Sequence, residues 1–161
     1  LYLRSRERFN ALLETGPDKV EARLAGLLNY VNTVDTAYLD KLRAAGERLI
    51  VVTSAVPVHC RTALTHLGLM PYFEQIIFAH DLQLEKKDPQ LWRLTAEMMG
   101  VAPEDCTLFD DSVEACRGAR AAGMRVVGVY DPYFAATEEA MRQVCHRYIK
   151  SFKELLPQIP E

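Results

Sequence analysis

Two kinds of apolar pattern divide the chain near residue 47. Before that point, apolar residues recur at helical spacing. Tyr2, Leu3, Phe9, Leu12 and Leu13 form one face, with Arg4, Arg6 and Arg8 between them as a solvated flank. Gly16-Pro17-Asp18 interrupts it, and Asp18 with Glu21 three residues later resembles a capping box. Val20, Leu24, Leu27, Leu28 and Val31 line a second helix, so the first two segments read as an antiparallel helical pair. A third helix is predicted over 36–45, closed by Gly46.

After residue 47 the apolar residues come in short unbroken runs. These are Leu49-Ile50-Val51-Val52, Ile76-Ile77-Phe78-Ala79, Thr107-Leu108-Phe109 and Val126-Val127-Gly128-Val129. Strands of a parallel sheet covered on both faces have this character. Helices are predicted between them over 57–67, 89–99 and 113–122, with Pro57 and Pro89 at two starts and glycines 68, 100 and 123 at the ends. The tail carries a helix over 137–144, a short apolar Tyr148-Ile149 and a last turn around 152–156. Four strand–helix alternations predict an α/β fold with a doubly wound, Rossmann-like parallel sheet.

In open α/β sheets, ligands bind at the carboxyl ends of the strands. Three polar clusters fall at such ends or in loops that could reach them: Thr53-Ser54, Lys86-Lys87-Asp88-Pro89 and Asp110-Asp111-Ser112. The last is the most telling. Adjacent carboxylates repel, and the pair persists most easily beside a hard divalent cation. The competing reading is that Asp110 ends the strand while Asp111 or Ser112 caps the next helix. Together the clusters offer a hydroxyl to donate to a phosphoryl oxygen, an ammonium to neutralise it, and carboxylates for a metal. That set suits phosphoryl transfer, where catalysis is mostly positioning and charge neutralisation.

Composition narrows the class further. The 161 residues are 49% hydrophobic and 25% charged, as in a soluble globular domain. A net charge of −3 with scattered basic residues argues against a nucleic-acid partner. No apolar run reaches the roughly 18 residues of a membrane span, and no signal peptide opens the chain. Cys60, Cys106, Cys116 and Cys145 lack the close pairs of a metal site and read as reduced, buried thiols of a cytoplasmic protein. His59, His66, His80 and His146 show no ligand spacing, Asp81 reads as a turn residue, Trp92 as packing, and Ser54 and Ser112 as helix caps. No Gly-x-Ser-x-Gly elbow or Gly-rich phosphate loop is present.

Read together, the clusters resemble the haloacid dehalogenase (HAD) superfamily, in its phosphatase-like branch with a helical cap. The apolar run ending in Thr53 is similar to the family's second motif. Glu85-Lys86-Lys87-Asp88-Pro89 is similar to its third, commonly Gly-Lys-Pro-Asp-Pro, and Leu108-Phe109-Asp110-Asp111-Ser112 to its fourth. Ala121-Ala122-Gly123-Met124 running into a strand adds to the likeness, which covers roughly residues 30–156. The resemblance implies residues 1–33 as part of a helical cap and 34–161 as the α/β core. It implies Thr53 and Ser54 against the phosphoryl group, Lys86 as the motif-three lysine, and Asp110 and Asp111 holding Mg²⁺. Thr53, Lys86 and Asp110 would then be catalytic.

Two departures accompany it. Lys87 and Glu85 stand where the family usually has proline and often glycine, which leaves open which lysine faces the site. No Asp-x-Asp, the family's first motif and source of its nucleophile, occurs in the 161 residues. The chain starts at Leu1 in what reads as a helix, so an upstream segment carrying a strand and Asp-x-Asp is expected. The family places that strand between those ending at Thr53 and Asp110.

The implied function is Mg²⁺-dependent hydrolysis of small phosphate monoesters through an aspartyl-phosphate, with the 161 residues alone inert. A sugar-phosphate mutase and a non-catalytic HAD-like binding or regulatory module remain as alternatives. The metal-free dehalogenase branch has little use for paired acids. A phospho-receiver would place its acids first along the chain, whereas here they come last.

Overall fold

A computed structural model describes residues 36–158 of the chain. The helical pair and the cap expected over 1–33, with the boundary at 33/34, lie outside the described residues. The elements in order are α1 (Thr36–Ala44), β1 (Ile50–Thr53), α2 (Pro57–His66), β2 (Gln75–Phe78), α3 (Pro89–Met99), β3 (Thr107–Asp110), α4 (Val113–Ala122), β4 (Arg125–Val129), α5 (Glu138–Val144) and β5 (Arg147–Ile149), with short 3₁₀ segments between some of them and after the last. Every described strand pair is parallel. The chain is thus an α/β protein, as the alternating pattern predicts.

Its residues divide into two compact units. One holds the described residues up to Phe78 together with those from Leu155 on, and the other spans Ala79–Glu154. In the first, β1 and β2 pair in register from Ile50 opposite Gln75 to Thr53 opposite Phe78. Cys60, Leu64, Leu69 and Phe78 form its buried cluster, flanked by Leu39, Val51 and Ile76. The connection to β2 is tied down by an ion pair of Arg48 with Glu74 and by Tyr72 donating to Asp40 at 2.8 Å. In the second unit the strand order is β3-β4-β5, with Asp110 opposite Gly128 and Val127 opposite Arg147. Leu91, Trp92, Ala96, Ala115, Cys116, Val126 and Ile149 fill its core.

The described strands pair as β1-β2 and as β3-β4-β5. Among the described residues, β1 and β3 each have a strand neighbour on one side only. A fifth strand, β5, stands where only a short apolar stretch was expected. Three residues are too few to show a period, and its pairing to β4 is secured from outside the pattern. Val126 donates its backbone N–H to His146 Nδ1 at 3.0 Å, and His146 N donates to the Val126 carbonyl at 2.9 Å.

The helix ends follow the chemistry of their residues. Asp88 caps α3, its side chain accepting from Gln90 N, and Pro89 follows where no N–H is needed. Gly123 closes α4 at φ 102°, a left-handed conformation that an L side chain resists.

Candidate active site

The second unit brings three of the expected residues together. β3 delivers Asp110 at its carboxyl end, and α4 starts immediately afterwards, capped by Ser112, whose Oγ accepts from Ala115 N at 3.3 Å. Asp110 and Asp111 are each only 2% exposed. Lys86 comes from the turn before α3, and its Nζ donates to Asp110 Oδ2 at 2.6 Å. Asp110 Oδ1 accepts from Ser112 N at 2.9 Å, so both oxygens of this carboxylate are oriented. An isolated carboxylate here would bear a large desolvation cost, and the ammonium at contact distance offsets it.

The two lysines separate cleanly. The Lys86 side chain is 16% exposed and turned to Asp110, whereas Lys87 is 62% exposed and pairs with Glu85 at 2.6 Å. That hydrogen bond to Glu85 raises the Lys87 pKa. The resemblance favours Lys86 as the motif-three lysine, and the turn directs Lys86 rather than Lys87 to Asp110.

Thr53, the last residue of β1, is buried and belongs to the first unit. Its Oγ1 accepts from Ala55 N at 3.0 Å, which uses a lone pair and keeps its own hydrogen for donation. Ser54 beside it is exposed. Contrary to its expected role as a cap, Ser54 does not cap α2. Val56 occupies the N-cap position, with no side-chain bond, because Pro57 sets the first turn two residues later than a Ser54 cap would need. Ser112, by contrast, caps as expected.

Three residues near the carboxylates carry more than the sequence reading gives them. Trp92, read as packing, is buried and also donates its indole N–H to the Lys86 carbonyl at 2.8 Å. Cys116 is buried and donates its thiol to the Asp110 carbonyl at 3.8 Å. The neighbouring Cys145, with burial, raises the Cys116 thiol, and Cys116 in turn lowers Cys145. All four cysteines are free, but Cys106 is half-buried rather than buried, since it lies just before β3 at the rim. A helical pattern with one Trp or one Cys on its inner face reads as core, and nothing in it signals a hydrogen bond to a neighbouring loop.

The donor set fits Mg²⁺. Among the described residues no three His, Cys, Asp or Glu side chains group as a metal cage. Two adjacent buried carboxylates do, however, match an ion held by one or two protein carboxylates together with water and phosphate oxygens. No helix among the described residues is long and apolar enough to cross a membrane.

Comparison with known proteins gives the class. A family model for haloacid dehalogenase-like hydrolases matches residues 4–123. The chain belongs to that family. It is 28% identical over 123 residues to the GMP/IMP nucleotidase YrfG of Escherichia coli, covering 76% of this chain and 54% of that protein. It is 32% identical over 112 residues to the fructose-1-phosphate phosphatase YqaB of Escherichia coli, covering 70% and 60%. The chain therefore spans little more than half the length of these relatives. A solved HAD phosphatase from Thermococcus onnurineus superposes with a TM-score of 0.65 at 27% identity, covering 76% of this chain and 54% of that one. A HAD-family hydrolase from Deinococcus radiodurans, solved with phosphate and sodium, gives 0.68 at 24% identity over 86% and 63%, a likeness of fold alone.

Proposed function

We propose that the protein is a cytoplasmic, Mg²⁺-dependent phosphatase of small phosphorylated metabolites. Its nucleophile would be an aspartate of an Asp-x-Asp segment preceding this sequence. The observation that carries the reading is the Lys86–Asp110 contact at 2.6 Å with Asp111 buried alongside. Charge of both signs is fixed at a strand end, where a phosphoryl group needs neutralising. The family's named phosphatases, which include a phosphoserine phosphatase of Thermus thermophilus, support the substrate class. The four free cysteines accord with a reducing compartment.

In this mechanism Thr53 donates its hydroxyl hydrogen to a phosphoryl oxygen, and Ser54, exposed beside it, lines the same approach. Lys86 pairs with Asp110 and adds positive charge against the transferring group. Asp110 and Asp111 would hold Mg²⁺, which when bound supplies further positive charge to the phosphoryl oxygens. Among the described residues, none is proposed to accept the phosphoryl group. Residues 1–33 would then belong to the cap, and 34–161 to a core completed by the strand that bears the nucleophile.

The test is a thermal melt of the full-length protein with and without Mg²⁺. Binding at about 100 times Kd adds roughly 2.7 kcal/mol, a shift of several degrees, and Asp111→Asn should remove it. The same shift in both proteins would defeat the assignment. Release of inorganic phosphate from a panel of sugar and nucleoside monophosphates separates a phosphatase from a mutase, which returns an isomeric phosphate. The 161 residues assayed alone should release none.

A further inference from the structure

Lys86 and Lys87 follow one another on a single turn, yet only Lys86 reaches Asp110. A slip of one residue would present Lys87 instead. Something must set the register, and a lysine stem with four rotatable bonds cannot do so itself.

The turn is held at the Lys86 peptide. Asp88 N donates to the Glu85 carbonyl at 2.9 Å, closing the turn around both lysines. Trp92, in the first turn of α3 and 1% exposed, donates its indole N–H to the Lys86 carbonyl at 2.8 Å. From another direction α4 meets the same peptide at Gly118. A Cβ there would lie 2.5 Å from the Lys86 oxygen and 2.9 Å from the Lys87 carbonyl carbon. Only a residue without a side chain lets the helix approach so closely. This helix is also the one that starts at Asp110-Asp111-Ser112, so one rigid element both follows the carboxylates and backs the lysine's main chain.

We infer that Trp92 is a positioning residue for catalysis. Its indole N–H, with Gly118 as backstop, selects Lys86 over Lys87 as the ammonium that faces Asp110. Packing alone does not explain the arrangement, because a phenylalanine would fill nearly the same core volume without fixing the carbonyl. The inference deepens the proposed phosphatase reading and rests on it for its kinetic consequence. The register itself can be read without turnover.

Competitive acylation of lysines, followed by fragment mass spectrometry, resolves Lys86 from Lys87 in the full-length protein. In the wild type Lys86 should label at least about tenfold more slowly than Lys87, because its ammonium is enclosed. In Trp92→Phe the two rates should come within about threefold of each other, and Gly118→Ala should move them the same way. In turnover, Trp92→Phe should lower kcat about tenfold with KM within about twofold, the pattern of a misplaced charge-stabilising group. A purely structural Trp92 would lower the melting temperature and leave both the labelling ratio and kcat per folded molecule unchanged, which overturns the proposal. Equal labelling of the lysines in the wild type, or an indole N–H that exchanges as fast as that of free tryptophan, overturns it even where a variant does not fold. A wild type that releases no phosphate refutes the phosphatase reading and leaves the labelling result to decide the register.

Discussion

Two strand-to-helix junctions in this chain begin alike and end differently. At β3–α4, Asp110, Asp111 and Ser112 are all buried, Ser112 caps the helix, and Lys86 closes on Asp110. At β1–α2 only Thr53 is buried, and Ser54, Val56 and Val58 are exposed. Val56 holds the N-cap conformation, φ −63° and ψ 135°, and contributes no side-chain bond. The first junction encloses charge, which keeps its position and strength when water is excluded. The second leaves a helix N-terminus that no side chain of its own caps, beside a hydroxyl with a hydrogen to give. Under the proposed function, the junction that fixes charge is shut, and the one that would receive the phosphoryl group is open.

The largest effect should come from breaking the closed junction. Lys86→Ala leaves the Asp110 carboxylate enclosed without its ammonium, and removing one partner of a buried pair costs about 3–5 kcal/mol. Urea unfolding without Mg²⁺ should show that loss, whereas Lys87→Ala, at an exposed pair, should leave the melting temperature unchanged within error. A loss below about 1 kcal/mol for Lys86→Ala would mean that water reaches Asp110 and that the junction is not closed by charge. The comparison is informative because Lys87 meets Glu85 at the same 2.6 Å but in a far more exposed pair.

The serines sharpen the contrast at smaller scale. Ser112→Ala should cost about 1 kcal/mol, the usual loss of an N-cap. Ser54→Ala, which removes no cap, should cost within about 0.5 kcal/mol, as surface changes do. Equal losses in urea melts would show that Ser54 makes a bond in solution comparable to the one seen at Ser112.

What the sequence made visible follows the same division. Ser112 reads correctly as a cap because Asp110-Asp111-Ser112 directly precedes a periodic helix, so cap and carboxylates sit in one local motif. Ser54 reads wrongly because Pro57 delays the start of α2, and a rule that matches Ser to a helix start does not see which residue holds the N-cap conformation. The strands were found from unbroken apolar runs, but β5 was not, since three residues carry no period. The strand neighbours of β1 and β3 are likewise a property of pairing, which apolar runs do not encode. The choice of Lys86 over Lys87 depends on Trp92, six residues away, and on Gly118, in another helix. Neither contact leaves a trace in local spacing.

The last prediction tests the open junction by closing it. Val56 already has the extended backbone that an N-cap needs and lacks only an acceptor. Val56→Asp supplies one to the first-turn N–H groups of α2 and places a negative charge at the positive end of the helix. It also removes an exposed apolar side chain, so little packing is lost. The variant should gain about 0.5–1 kcal/mol in urea unfolding at neutral pH. Those N–H groups would then be occupied and the new carboxylate would repel an incoming anion. Inorganic phosphate, which should raise the melting temperature of the wild type, should therefore raise that of Val56→Asp less at the same concentration. A gain in stability with an unchanged phosphate response would move anion binding away from β1–α2. A loss of stability would show that the first turn of α2 is already satisfied, and the contrast between the two junctions would then lie in exposure alone.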